Sequence, residues 1–203
     1  LYEANRLLRD NGGNSIYILQ EDRIDDNQVQ ASSILTADLA DNILLTAGLS
    51  YRNLTSENYA QVKDLLGGTG YLDVDFFAEE TTQITQDQAA QSDIRNPNRI
   101  ATKGDRYKYN YVIQADVASA FAQTQFKTKK IDFYVAGNVM RTEYQRDGKF
   151  ENGNYLGNAS FGKSEKVDFM DFGVKGGATV KINGLNLLDF NAAYITKAPY
   201  IRN

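Results

Sequence analysis

The 203-residue chain has no cysteine, no histidine, no tryptophan and only two prolines. The missing cysteine excludes disulfides, thiol nucleophiles and thiolate metal sites, and leaves no redox clue to compartment. The missing histidine excludes Ser-His-Asp and Cys-His catalysis and histidine-ligated zinc or iron. Basic charge is also short: 22 lysines and arginines face 26 aspartates and glutamates, for a net charge of −4. A weakly acidic chain lacks the basic surface that phosphate-backbone binding needs, so no nucleic-acid partner is expected. No stretch approaches the roughly 18 apolar residues of a membrane-crossing helix. The chain opens Leu1-Tyr-Glu-Ala-Asn5, with neither an initiator methionine nor a basic-then-apolar leader. That opening reads as a processed product or a piece of something longer.

Tyrosine (13), phenylalanine (10) and glycine (16) are plentiful, which leans toward strands and tight turns. The hydropathy pattern agrees. Along 29–39 the odd positions read Val29, Ala31, Ser33, Leu35, Ala37 and Leu39. Along 43–51 they read Ile43, Leu45, Ala47, Leu49 and Tyr51. Such alternation predicts two strands with an apolar face, joined tightly through Ala40-Asp41-Asn42. Period two returns at 107–121, with Tyr107 to Phe121 on the odd side and Asp116 on the even side. It continues at 131–140, at 170–182 and at 188–194. TQFKTKK (124–130) reads as one turn, and Asn183-Gly184 as a two-residue hairpin.

Between these strands the pattern lapses. Leu1 to Arg9 is compatible with a short helix stopped at Gly12-Gly13, and EDRIDDN (21–27) reads as exposed loop. Thr55 or Ser56 is placed to cap a second short helix through Leu66, ended by Gly67-Gly68. The layout is therefore six strands in three hairpins: outer loop 1–27, hairpin 28–53, long loop 54–105, hairpin 106–146, loop 147–166 and hairpin 167–199. The fold class expected is all-β.

Strands of 10–16 residues are long for a soluble domain and suit a tilted crossing of a bilayer. Alternate short turns and long loops match outer-membrane barrels, as does an apolar face opposite a polar one. Asp116, Asn138, Lys175, Asp189 and Asn191 would occupy the wet side, and Tyr51, Tyr107, Tyr109, Tyr144 and Tyr194 an interfacial girdle. A soluble antiparallel sheet with one wet face alternates in the same way, so a soluble all-β binding or adhesion module is the alternative.

Candidate ligand contacts fall in the loops. Asp73 and Asp75, at i and i+2 on an extended segment, share a face near Glu79 and Glu80. They lack the oxygen count and turn glycine of a calcium loop, so a solvated acidic loop is expected and no metal. Arg95 and Arg99 flank Asn-Pro-Asn and suit carboxylates, phosphates or siderophore-like anions, although a loop stapled by ion pairs is the expected reading. Arg146-Asp-Gly-Lys149 reads as a turn first and a ligand contact second. GGTG (67–70) lacks the Lys-Ser/Thr of a phosphate loop. No carboxylate pair is singled out for hydrolysis, so neither enzymatic activity nor a cofactor is expected.

Several stretches also carry a family resemblance. They are the opening LYEANR, RNPNRI (95–100) followed by Gly104-Asp105, RDGKFENGNY (146–155), and GKSEK from Gly162 with FMDFGVKGGATVKINGLNLLDFNAAYITKAPYIRN to Asn203. Together they resemble the TonB-dependent receptors of the bacterial outer membrane, in the version found in Bacteroidetes-type bacteria. The resemblance implies a 22-stranded barrel plugged by an N-terminal domain and importing a scarce nutrient with energy from the TonB complex. This chain would be a middle-to-late barrel segment without the plug or TonB box. Its implied partners are outer-membrane lipid, the plug, the remaining strands and a nutrient.

Overall fold

The computed structural model describes residues 1–79 and 84–199. Glu80 and the last four residues of the family-like C-terminal stretch lie outside them. The architecture is all-β, and no helix among the described residues is long and apolar enough to cross a membrane. Nine strands are described: β1 (Leu19–Ala40), β2 (Ile43–Asp64), β3 (Tyr71–Leu72), β4 (Ile100–Ala101), β5 (Arg106–Lys127), β6 (Ile131–Gly148), β7 (Gly162–Lys163), β8 (Val167–Lys181) and β9 (Leu187–Ile195). The α-helices are α1 (Tyr2–Asp10) and the four-residue α2 (Gln86–Ala89), and a 3-10 turn spans Gly157–Ala159. An antiparallel sheet takes the order β1-β2-β5-β6-β8-β9, with β7 beside β6, while β3 and β4 pair separately. β1 and β9 end that order, and among the described residues no barrel is closed.

The three hairpins are present, but several boundaries differ from expectation. EDRIDDN is strand, not loop: β1 starts at Leu19. Its charges are held by other groups, Glu21 by Lys63 at 2.9 Å, Asp22 by the Tyr109 hydroxyl at 3.0 Å and Asp25 by the Tyr59 hydroxyl at 2.6 Å. The helix expected from Thr55 to Leu66 is also strand, because β2 continues to Asp64. Ser56, Asn58, Ala60 and Val62 are all buried there. This is period two with polar residues on the inner side, which hides it from a hydropathy count. β5 likewise runs to Lys127, leaving only 128–130 as turn. Arg146 to Gly148 are strand residues, not a turn. The last hairpin uses five residues, 182–186, and Asn183 Oδ1 accepts the amides of Leu185 and Asn186.

The chain divides into two compact units. Unit 1 comprises Leu1–Asn27, Thr55–Gln114 and Gln145–Lys166. Its core is Ala60, Val62, Leu65, Ala101 and Tyr107, with Ile18, Tyr71 and Tyr109 packed against it. The fully buried Asn5 fastens α1: its amide donates to the carbonyls of Tyr17 (2.7 Å) and Leu65 (2.8 Å), and its oxygen accepts from the Ile16 N–H (3.0 Å). A buried side-chain amide left without such partners would be costly, so the contacts specify where the helix rests.

Unit 2 comprises Gln28–Leu54, Ala115–Tyr144 and Val167–Asn203. Its strand register sorts residues by face. Opposite one another on one side lie Val135 with Gly176, Gly137 with Val174 and Val139 with Phe172 across β6–β8, and Ala178 with Phe190 across β8–β9. The other side carries Ala136 with Lys175, Asn138 with Gly173 and Gly177 with Asn191. The first side is apolar and open; Val135, Val139, Met170, Phe172, Val174 and Phe190 are all exposed. The second is bridged by Lys181–Asp132 (2.7 Å) and Tyr134–Asn191 (3.0 Å), with Thr179 donating to Asp189.

β5 inverts the assignment made from its alternation. Phe121 and Gln123 border the same recess as Asn138 and Lys175, while Phe126 stacks on Phe133 at 4.5 Å. Asp116 instead accepts from Tyr51 (2.5 Å) and Asn53 (2.8 Å), on the apolar stripe of β2. The cause is shape: a Cβ at Gly48 would sit 2.4 Å from the Phe121 ring, so that glycine leaves the space the ring fills. Two of the five tyrosines expected at strand ends lie elsewhere. Tyr107 is a core residue of unit 1, and Tyr51 lies mid-strand.

Candidate functional site

The site grows from one buried carboxylate in unit 1. Asp73 follows β3, and its backbone N–H bonds the Arg99 carbonyl at 2.9 Å just before β4. This draws RNPNRI against the acidic stretch. The Asp73 side chain then accepts Arg99 Nη2 at 2.6 Å and the Lys108 N–H at 2.9 Å. Arg99 also donates to the Arg106 carbonyl and lies over the Phe150 ring at 4.8 Å. Its Nε is buried without a hydrogen-bond partner among the described residues. An ion pair so enclosed holds two segments in one geometry, because removing either charge strands the other.

Lys108 is bent by this contact. Its φ is +64°, a left-handed conformation that a lysine adopts at a cost of about 1–2 kcal/mol. The Asp73 carboxylate receives the amide that the bend presents. The Lys108 side chain projects to the surface, while neighbouring Tyr107 is 5% exposed.

Around this anchor opens a cleft of about 660 Å³. Tyr71, Tyr107, Tyr109, Phe76 and Phe77 give it aromatic walls, and Gln20, Asp75, Ser92, Lys108 and Asn152 supply polar groups. Tyr71 meets Tyr107 edge-on at 5.8 Å. Burial pushes the Tyr107 phenol up to about 12, with Tyr71, Asp22 and Asp73 adding to the effect. Burial raises Tyr71 as well, and Asp73 raises it further. Both phenols are therefore neutral hydrogen-bonding groups at ordinary pH. Asp75 caps a local turn by accepting the Phe77 N–H at 2.9 Å, and it turns Phe77 outward, 92% exposed. The arrangement is suited to binding a ligand with both an apolar face and hydrogen-bonding groups.

Of the six residues singled out from sequence, Asp73 and Asp75 line this cleft. Arg99 supports it from behind through Asp73. Arg95 is elsewhere in unit 1, over the Phe161 ring at 4.5 Å and 3.6 Å from Glu151. Arg146 is a fastener: its guanidinium donates to the carbonyls of Ser160 (2.8 Å) and Asn158 (3.0 Å). Lys149 pairs with Asp147 at 2.6 Å. These last three do not border the cleft. Phe76, Phe77, Lys108 and Asn152 were not singled out. Phe76 and Phe77 carried a legible signal, two adjacent phenylalanines in an acidic stretch without strand alternation. No group of three or more acidic side chains among the described residues is arranged to hold a metal ion.

Comparison with family models, with curated proteins and with solved structures finds no match to this chain. Three of the stretches singled out from sequence lie in unit 1, and two of them, RNPNRI and RDGKFENGNY, touch through Arg99 and Phe150. LYEANR supplies Asn5, RNPNRI supplies Arg99, and RDGKFENGNY supplies Phe150 beneath Arg99 and Asn152 in the cleft.

Proposed function

We propose that this chain is part of a TonB-dependent receptor of the bacterial outer membrane, which binds a scarce nutrient and imports it with TonB-supplied energy. The observation that carries the reading is the two-sided sheet of unit 2. One side exposes valines, phenylalanines and a methionine along β6, β8 and β9, and the other holds a lysine, asparagines and aspartates in cross-strand contacts. Water favours the second side and disfavours the first, whereas a bilayer outside and a wet lumen inside suit both. Strand length supports the same reading. β1, β2 and β5 are 22 residues each, against the 9–11 or so that cross the hydrocarbon. Unit 2 would supply the crossing segments, and unit 1, with its own core and buried ion pair, would stand outside the hydrocarbon and offer the cleft to the nutrient. The two ends of the strand order would pair with the remaining strands of the parent barrel.

The test places a charge on the apolar side. Val174→Arg is expected to destabilise the chain in lipid nanodiscs by about 2–4 kcal/mol, the cost of arginine near a bilayer midplane. The wild-type chain is expected to be monodisperse only with detergent. A compact monomer in plain buffer, indifferent to Val174→Arg, would overturn the membrane reading and favour a soluble all-β binding or adhesion module.

A further inference from the structure

The chain is acidic overall, yet three lysines fall within four residues where β5 turns into β6: Lys127, Lys129 and Lys130. All three are exposed, and among the described residues no carboxylate bonds any of them. Lys181, at the end of β8, donates to the Thr128 carbonyl at 3.0 Å and to Asp132 at 2.7 Å. Its own backbone N–H bonds the Lys130 carbonyl at 2.8 Å. The carboxylates at these turns are Asp132, which is engaged by Lys181, and Asp41, next to the Asn42 whose carbonyl accepts the Lys127 N–H at 2.9 Å. Four lysines therefore meet two carboxylates, and among the described residues no carboxylate pairs with Lys129 or Lys130 on the turn.

The turn also closes the apolar side of unit 2. The stacked pair Phe126–Phe133 flanks it, with Ile131 exposed between. Ammonium groups on flexible stems next to flat apolar rings match a membrane boundary, where rings enter the acyl region and lysines extend to the headgroups.

We propose that the β5–β6 turn binds the phosphodiester headgroup of anionic phospholipids through Lys127, Lys129 and Lys130, with Phe126 and Phe133 against the upper acyl chain. Lys181 is held by Asp132 and serves to brace the turn. This inference rests on the membrane reading above and adds the lipid class that the turn selects.

The experiment compares partition of the full chain from detergent into vesicles of phosphatidylcholine alone and of phosphatidylcholine mixed with phosphatidylglycerol, read by flotation at low salt. The wild-type chain is expected to enter both and to prefer the anionic vesicles. Each lysine near an anionic surface is worth about a fivefold change in partition, so the triple variant Lys127→Gln/Lys129→Gln/Lys130→Gln should lose up to about a hundredfold of that preference. Its entry into phosphatidylcholine should be unchanged, and Lys129→Gln alone should lose about fivefold. Equal wild-type entry into both vesicles, or a preference that survives the triple substitution, overturns the headgroup site and leaves the membrane reading standing. Entry into neither vesicle overturns both. Glycerol 3-phosphate in solution should not abolish the preference; if it does so at concentrations that leave ionic strength unchanged, the turn is a free-phosphate site and the lipid proposal fails.

Discussion

The two units solve the burial problem in opposite ways. Of the twelve buried apolar residues among those described, ten lie in unit 1, and unit 2 contributes only Ala115 and Ala136. Unit 2 instead exposes its large side chains, among them Leu35, Leu49, Val135, Phe172, Val174 and Phe190. Unit 1 has a small core, a buried asparagine with its bonds made and an ion pair behind its cleft. Unit 2 has strand pairing but little interior. On the proposed membrane reading, its apolar groups would face a solvent that is itself apolar. One chain thus carries both designs on the same strands, and the change occurs within β1, β2, β5 and β6 rather than at linkers.

That contrast can be broken most severely at Asp73. Asp73→Ala removes the partner of Arg99 and the acceptor of the Lys108 amide together. Losing one side of so enclosed a pair is expected to cost about 3 kcal/mol, with Arg99 partly exposed and so somewhat relieved. If unit 1 stands outside the hydrocarbon as proposed, denaturant unfolding followed by near-ultraviolet circular dichroism should show this loss in detergent and in lipid alike. Val174→Arg should show the converse, with its effect confined to lipid.

A smaller effect should appear at high pH. The Tyr107 phenol, raised to about 12 in the folded chain, keeps its proton after the unfolded chain has begun to lose it near 10. The associated stability is full below pH 10 and declines as the pH rises through 12, by roughly 2–3 kcal/mol at completion. Tyr107→Phe should remove this decline while losing the bond that the hydroxyl donates to Gln20. A decline of the same size in Tyr107→Phe would mean that another group is responsible.

The smallest effect is expected at the Lys63–Glu21 pair, 2.9 Å apart and largely exposed. Lys63→Ala/Glu21→Ala should change unfolding by no more than about 0.5 kcal/mol, and a double-mutant cycle would measure the coupling. A coupling above roughly 1 kcal/mol would mean that the polar ladder of β1 and β2 contributes to unit 1 as much as its core contacts do.

Much of the fold was legible before any coordinates. The alternation at 29–39, 43–51, 131–140 and 188–194 marks strands because side chains in a strand point to opposite faces in turn, and Asp41-Asn42 is the tight turn expected. The short helix at the start was legible from its glycine stop, and α1 spans Tyr2–Asp10. The stretch 55–64 was not legible, because Ser56 and Asn58 occupy buried positions and give a polar strand the look of a capped helix. The face of β5 was not legible either. Alanines and a serine line both sides of it, so the decision fell to Phe121 and the space over Gly48. Of the candidate site, the acidic and arginine-bearing stretches were visible separately, but their meeting was not. Asp73 and Arg99 are 26 residues apart, and nothing local to either announces the other.

The sequence by itself determined that strands predominate, that they come in three hairpins, and that the chain has no thiol or imidazole to work with. Those properties follow from composition and from a two-residue period, which each segment carries independently of its neighbours. Only the tertiary structure decided where polar strands continue beyond the apolar ones, which way β5 faces, and which carboxylate meets which arginine. These depend on distant segments filling the same space and satisfying one another's buried polar groups, and that information exists only when the chain is folded.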